Sequence, residues 1–183
     1  MLPNFQSFNI FKQGSKTFFT ASLFFPAQLR RDVFDLYAFV RTADDFVDTL
    51  PQQTTEFKNF ESSYRSALAG QVSGQLIIDR FVQLQHKHGF EQGWVDAFFE
   101  SMAMDLHKTE YENLDETLHY IHGSAEVIGL MMAQLMNLPD QAKPAAAMLG
   151  QKIIAIDAEK GAARIAYDAV SYTHLRAHET GRN

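Results

Sequence analysis

The sequence predicts an all-α protein, and three observations predict it. Apolar residues recur at spacings of three and four through every long segment. The periodic runs close on helix terminators, namely Pro26, Pro51, Gly70, Gly89 and Pro139. Strand signals are weak throughout, so no segment competes with the helical reading.

The first helix starts at Ser15, an N-cap residue type, and runs to about Phe25, where Pro26 interrupts it. A second runs from about Ala27 to Leu50, with Leu29, Val33, Leu36, Tyr37 and Val40 as its buried stripe and Pro51 as its stop. A third covers about 54–69 and a fourth about 74–88, each followed by glycine. The fifth, about 91–107, carries Trp94, Phe98, Phe99, Met102 and Leu106. A sixth is expected from about Leu114 to Leu138, and a seventh begins near Asp140 and contains KPAAAMLGQKIIAI. Short polar connections make successive helices antiparallel neighbours in one bundle without internal repeats or a second domain. That domain is expected to extend to residue 170, with 151–170 already reading oddly. The final stretch, SYTHLRAHETGRN, lacks an apolar stripe and resembles translated sequencing-adapter text, so 171–183 is set aside as a non-native tail together with His174 and His178.

Composition narrows the function. A 46% hydrophobic, 21% charged chain of 183 residues can build a sizeable core. Its formal net charge of −6 argues against a nucleic-acid partner, and an anionic ligand would need a cation to mediate. With no Cys there is no disulfide, thiolate metal site or cysteine nucleophile. The N-terminus lacks the pattern of a secretory signal, and the longest apolar run, VIGLMMAQLM, is far shorter than the roughly 18 residues a membrane span needs. Sixteen Phe suit an interior that surrounds something apolar, although aromatic cores without ligands are more common. There is no GxSxG, Walker A or GxGxxG sequence.

The informative stretch is RTADDFVDTL at 41–50. At about 100° per residue, Tyr37, Arg41, Asp44 and Asp48 share one narrow face of the second helix, whereas Asp45 is turned away by about 80°. Carboxylates at i and i+4 repel, and more strongly where the face is partly buried. Arg41 neutralises part of that charge, and Mg²⁺ shared with a phosphate would account for the rest. The alternative is that Asp44, Asp45 and Asp48 solvate a helix end; spacing alone leaves the two readings level. Asp105 by itself reads as a helix-end charge. His119 and His122 lack the third ligand of a zinc site, and His86 and His88 fit a helix C-terminus. Ser124, Ala125 and Gly129 supply small side chains for a close helix contact or a ligand tail.

Together these segments resemble the squalene/phytoene synthase family of head-to-head isoprenyl diphosphate synthases. GSKTFFTASLFFP is similar to the family's opening SKSFY segment, LYAFVRTADDFVD to its first aspartate-rich motif LYAFCRxADDxxD, and SMAMDLHKTEYENLDETLHYIHGSAEVIGLMM to its MxMDLxxxxYxxxxELxxYxxxVAxxVGxM region. The similarity runs in order over about residues 14–138. It implies an all-α isoprenoid synthase (terpenoid synthase) bundle around an apolar cavity. It implies a prenyltransferase that condenses two prenyl diphosphates head-to-head, geranylgeranyl diphosphate giving phytoene through a cyclopropyl diphosphate. The alternatives are a squalene or dehydrosqualene-type synthase using farnesyl diphosphate, or a non-catalytic isoprenoid-binding helical protein.

By matching position, the resemblance makes Asp44 and Asp48 ligands of Mg²⁺, or of Mn²⁺ in its place, and Tyr37 and Arg41 diphosphate contacts. It places Ser15 and Phe18 at the pocket mouth and makes Asp105 a catalytic aspartate. Tyr120, Ala125, Ile128 and Gly129 become substrate-binding residues. It further implies a cytoplasmic protein that meets a membrane peripherally when product leaves. The family's second aspartate motif, roughly QxxNxxRDxxED, has no good counterpart: Gln151 could lead it, but Asp157 falls one residue early. The chain is therefore expected to be truncated at its C-terminus, to lack half the metal site, and to be inactive by itself.

Overall fold

The computed structural model describes residues 5–108, 110–145 and 147, all of whose regular elements are helical. The chain divides into two compact units at Glu91/Gln92.

The first unit holds five helices: α1 (Phe5–Gly14), α2 (Lys16–Ser22), α3 (Ala27–Asp48), α4 (Thr54–Leu68) and α5 (Leu76–His88). Pro26 caps α3 with φ −50°, a position where its missing N–H costs nothing, and its carbonyl accepts from Arg30 N at 2.9 Å. The helix ends where Thr49 turns extended. Its core face is Val33, Leu36, Phe39, Ala43 and Val47, each 5% exposed or less. The expected stripe needs correcting, because Leu29, Tyr37 and Val40 are only half-buried and flank that face. Phe39 lies flat on Phe81 of α5, with centroids 3.6 Å apart, and the tilted rings of Phe60 and Tyr64 from α4 complete the layer. The Tyr64 hydroxyl in that layer is satisfied, since Tyr64 Oη donates to buried Gln85 Oε1 at 2.8 Å. Gly89, at φ +68°, supplies the left-handed turn that stops α5.

Helix α1 was not anticipated. Its Phe8 and Phe11 pack edge-on against Phe19 of α2 and Phe34 of α3. The Phe5, Phe8, Phe11 spacing of three is the helical signal, hidden among Asn, Gln, Ser and Gly residues that read as loop.

The second unit holds α6 (Gln92–Asp105), α7 (Leu114–Ile121) and α8 (Val127–Leu135). Val95, Phe98, Phe99 and Met102 are the buried face of α6. Asn113 caps α7 by accepting from Glu116 N at 2.9 Å, and Glu116 Oε2 accepts from Glu112 N at 2.8 Å, so both sides of the cap are closed. The expected single helix from Leu114 to Leu138 is interrupted by one π-helical turn, His122–Glu126, and stops at Leu135. The cause is local. Gly123 presses on the Ala97 carbonyl and Ser101 of α6, and Ser101 Oγ donates to the Tyr120 carbonyl at 2.9 Å. The seventh helix opens as a 3₁₀ turn at Asp140–Ala142 followed by helical residues 143–145; its expected continuation, with Gln151, Asp157 and the 171–183 tail, lies outside the described residues. Among the described residues no helix is long and apolar enough to cross a membrane.

Candidate functional site

The last three turns of α3 bring Tyr37, Arg41, Asp44 and Asp48 onto one half-buried face, as the spacing requires. Arg41 pairs with two carboxylates of its own helix: Nη1 donates to Asp44 Oδ2 at 3.0 Å and Nη2 to Asp45 Oδ1 at 2.6 Å. Asp45, read from spacing as turned away, thus shares the guanidinium because its side chain reaches back one turn from the exposed flank. Asp48 is left over. Its Oδ1 is buried and has no hydrogen-bond partner.

The electrostatics follow from that arrangement. Burial, then the charge of Asp48, pushes the Asp44 carboxyl up to about 7 against the pull of Arg41. Burial also raises Asp48, with Arg41 opposing and Asp45 adding to the rise. Burial pushes the Tyr37 phenol up to about 12, so it remains a hydrogen-bond donor near neutral pH. Two carboxylates on one face thus share a single guanidinium with Asp45 and are left short of positive charge. Among the described residues no three His, Cys, Asp or Glu are grouped to hold a metal alone. The donor set nevertheless fits Mg²⁺, which is commonly held by one or two carboxylates together with water and substrate phosphate. The orphaned Asp48 oxygen is the structural sign of that fit.

Tyr37 is set from behind by α1. Its ring stacks on Phe11 at 4.1 Å, and a Cβ at Gly14 would collide with its hydroxyl. Neither Phe11 nor Gly14 was singled out from sequence; a Phe three residues before a Gly, ahead of the Ser15 cap, was the available signal. Ser15 is buried, and its Oγ accepts from Phe18 N at 3.3 Å as the α2 cap, while Phe18 itself is exposed. Ser15 and Phe18 thus sit on α2 and its cap, away from the α3 quartet in sequence but in the same unit.

The second unit gathers the other candidates. Tyr120 Oη donates to Asp105 Oδ2 at 3.0 Å, so the α6 end and α7 meet at that carboxylate. Tyr111, not anticipated, packs its ring 5.0 Å from Tyr120, and burial followed by the Asp105 charge raises its phenol. Ala125, Ile128 and Gly129 are half-buried at spacings of three and four across the π turn and α8, with Ala125 packed on the Tyr120 cluster. Glu126 is buried in the same turn. One oxygen takes His122 Nδ1 at 2.9 Å, and the other, like Ser124 Oγ, has no partner. Among the described residues the histidines are dispersed: His119 meets Glu100, His122 meets Glu126, and His88 is inserted beside buried Asp32 with Lys87. The expectation that the helix dipole suffices for His88 misses that ion cluster, which only the packing of α5 on α3 creates.

The structure thus presents an all-α chain with an aspartate-rich face backed by arginine and tyrosine in its first unit and a small-residue helix face in its second. Comparison with known proteins narrows this. The squalene/phytoene synthase family matches over residues 11–153, so the chain belongs to that family. It is 36% identical over 140 residues to the 15-cis-phytoene synthase of Pantoea ananas, covering 70% of this chain and 45% of that protein. Against the 15-cis-phytoene synthase of Enterobacter agglomerans it is 36% identical over 142 residues, covering 70% and 47%. Against that of Paracoccus sp. (strain N81106 / MBIC 01143) it is 31% identical over 137 residues, covering 70% and 45%. The chain spans about half the length of the curated relatives it matches.

Proposed function

We infer that this chain carries the first diphosphate-binding half of a prenyltransferase that joins two geranylgeranyl diphosphates head-to-head to phytoene through a cyclopropyl diphosphate. The observation that carries the reading is the buried, unpartnered Asp48 Oδ1 beside an Asp44 whose charge Arg41 does not balance. Asp44 and Asp48 would hold Mg²⁺. When bound, that ion supplies the positive charge that binds the substrate diphosphate and takes up charge as the C–O bond breaks.

The chain's own residues do the rest. Arg41 keeps its guanidinium charged, because Asp44 and Asp45 outweigh burial, and from the carboxylates it can extend to diphosphate oxygens. Tyr37, braced by Phe11, holds a phenolic proton toward the same oxygens as the leaving group gains charge. Ser15 and Phe18 border the mouth. In the second unit Asp105 fixes the hydroxyl of Tyr120, and Ala125, Ile128 and Gly129 leave room for a prenyl chain and keep water from the allylic cation.

The test is calorimetric titration of the chain with geranylgeranyl diphosphate, with farnesyl diphosphate and geranylgeraniol as comparisons. Mg²⁺-dependent binding of the C20 diphosphate, weakened at least about tenfold in Asp48→Asn, is expected. Equal binding without Mg²⁺, or by the diphosphate-free alcohol, would overturn it. Protein extended to its relatives' length is expected to convert the same substrate to phytoene, and absence of product from both C15 and C20 diphosphates would count against the synthase reading.

A further inference from the structure

Glu126 is a buried carboxylate with no part in the prenyl diphosphate site. Only 6% of its side chain is exposed. Its Oε2 lies 2.9 Å from His122 Nδ1, and its Oε1 is buried without a hydrogen-bond partner. Among the described residues no Lys or Arg pairs with it, and His122 offsets its charge only when protonated. A buried carboxylate oxygen left bare is costly, so it marks a place where a donor or a cation arrives. The turn that carries it is fixed rather than frayed. Gly123 presses on α6, and Val127 N–H donates to the His122 carbonyl, five residues back, as a π turn requires.

The helix beyond that carboxylate is apolar and partly open. Side chains of a helix lean toward its N-terminus, over the residues three and four positions earlier. The residues placed to lean over Glu126 are Gly129 and Leu130, one without a side chain and the other without a side-chain donor. Ala125, Ile128 and Gly129, which flank it in the chain, are half-buried, so part of their surface stays open to a ligand. Ser124 Oγ, in the same turn, is a second buried atom without a partner. A metal ion fits poorly, because no third His, Asp or Glu joins Glu126 and His122 among the described residues. An anion is repelled by the carboxylate. An apolar chain that carries a positive charge satisfies both the face and the carboxylate.

We propose that Glu126 is the counter-charge of a site on the Ala125, Ile128 and Gly129 face that binds an apolar chain bearing a positive charge, namely a prenyl ammonium ion or the allylic cation it imitates. The carboxylate favours this ligand over the matching alcohol, since an ammonium N–H donates to Oε1 with full charge and a hydroxyl offers only a neutral donor. The proposal rests on the function inferred above in taking that face for a prenyl chain. Its test uses neither diphosphate nor metal, so the site can fail while diphosphate binding at Asp44 and Asp48 stands, and the reverse.

The experiment is calorimetric titration of the chain, in EDTA at neutral pH, with N,N-dimethylgeranylgeranylamine, which is protonated there, and with geranylgeraniol, each below its critical micelle concentration. The amine is expected to bind at least about tenfold more tightly than the alcohol. Glu126→Gln keeps the side-chain shape and is expected to remove that preference, lowering amine affinity about tenfold or more. Alcohol affinity, and helix content by circular dichroism, are expected to stay unchanged, which separates lost charge from lost fold. Equal binding of amine and alcohol by the unaltered chain would overturn the proposal and leave Oε1 to an ordered water. An amine preference that survives Glu126→Gln, or binding of neither ligand, would overturn it as well. A preference lost in Asp48→Asn but kept in Glu126→Gln would assign the cation to the α3 face instead.

Discussion

Replacing Asp44 with Asn should stabilise the metal-free protein above neutral pH. The Asp44 carboxyl rises from 3.8 to about 7 in the folded chain, chiefly through burial and then through the Asp48 charge. The folded state therefore holds its proton more tightly than the unfolded state does, and stability is lost as pH rises from about 4 to about 7. At about 1.4 kcal/mol per pH unit the ceiling on that loss is about 4 kcal/mol. The side chain is still 31% exposed, so solvent screening reduces it to about 1–2 kcal/mol. Urea unfolding in EDTA should find Asp44→Asn equal to the parent near pH 4 and more stable by about 1–2 kcal/mol at pH 8. Added Mg²⁺ and inorganic diphosphate should cancel or reverse the difference at pH 8, because only the parent keeps both carboxylates. If the variant is instead the less stable at pH 8 in EDTA, the Arg41 ion pair outweighs burial and repulsion, and the face is not short of positive charge.

Other perturbations follow from the packing. Gly123→Ala drives a methyl into the Ala97 backbone carbonyl, which cannot move aside, and should cost about 1–3 kcal/mol in urea unfolding. Phe81→Ala empties the centre of the Phe39, Tyr64 and Phe90 cluster and should cost about 3–5 kcal/mol. Asn113→Ala removes the α7 cap and should cost about 1 kcal/mol, with the loss of amide-exchange protection concentrated in the first turn of α7.

Sequence periodicity found the helices whose apolar faces are broad and whose ends carry Pro or Gly. It missed α1, where ten residues of mixed polarity become helical only because Phe8 and Phe11 find Phe19 and Phe34. The π turn was equally out of reach. It reflects the Gly123 contact with α6, which depends on tertiary packing. The acidic face was legible because residues four apart on one helix stay together whatever surrounds them. Its energetic character was not: that Arg41 pairs with both Asp44 and Asp45, leaving Asp48 Oδ1 without a hydrogen-bond partner, is a matter of side-chain reach. The Tyr111 ring and the buried Glu126 likewise gain meaning only from neighbours distant in sequence or from the altered turn.

Asp44 and Asp48 are proposed to receive a divalent cation together with a diphosphate. Electron paramagnetic resonance of Mn²⁺ in place of Mg²⁺, titrated with inorganic diphosphate, tests it most directly. A protein-bound Mn²⁺ signal that requires diphosphate, and that Asp44→Asn and Asp48→Asn each abolish, is predicted. The same bound signal in both variants would contradict it.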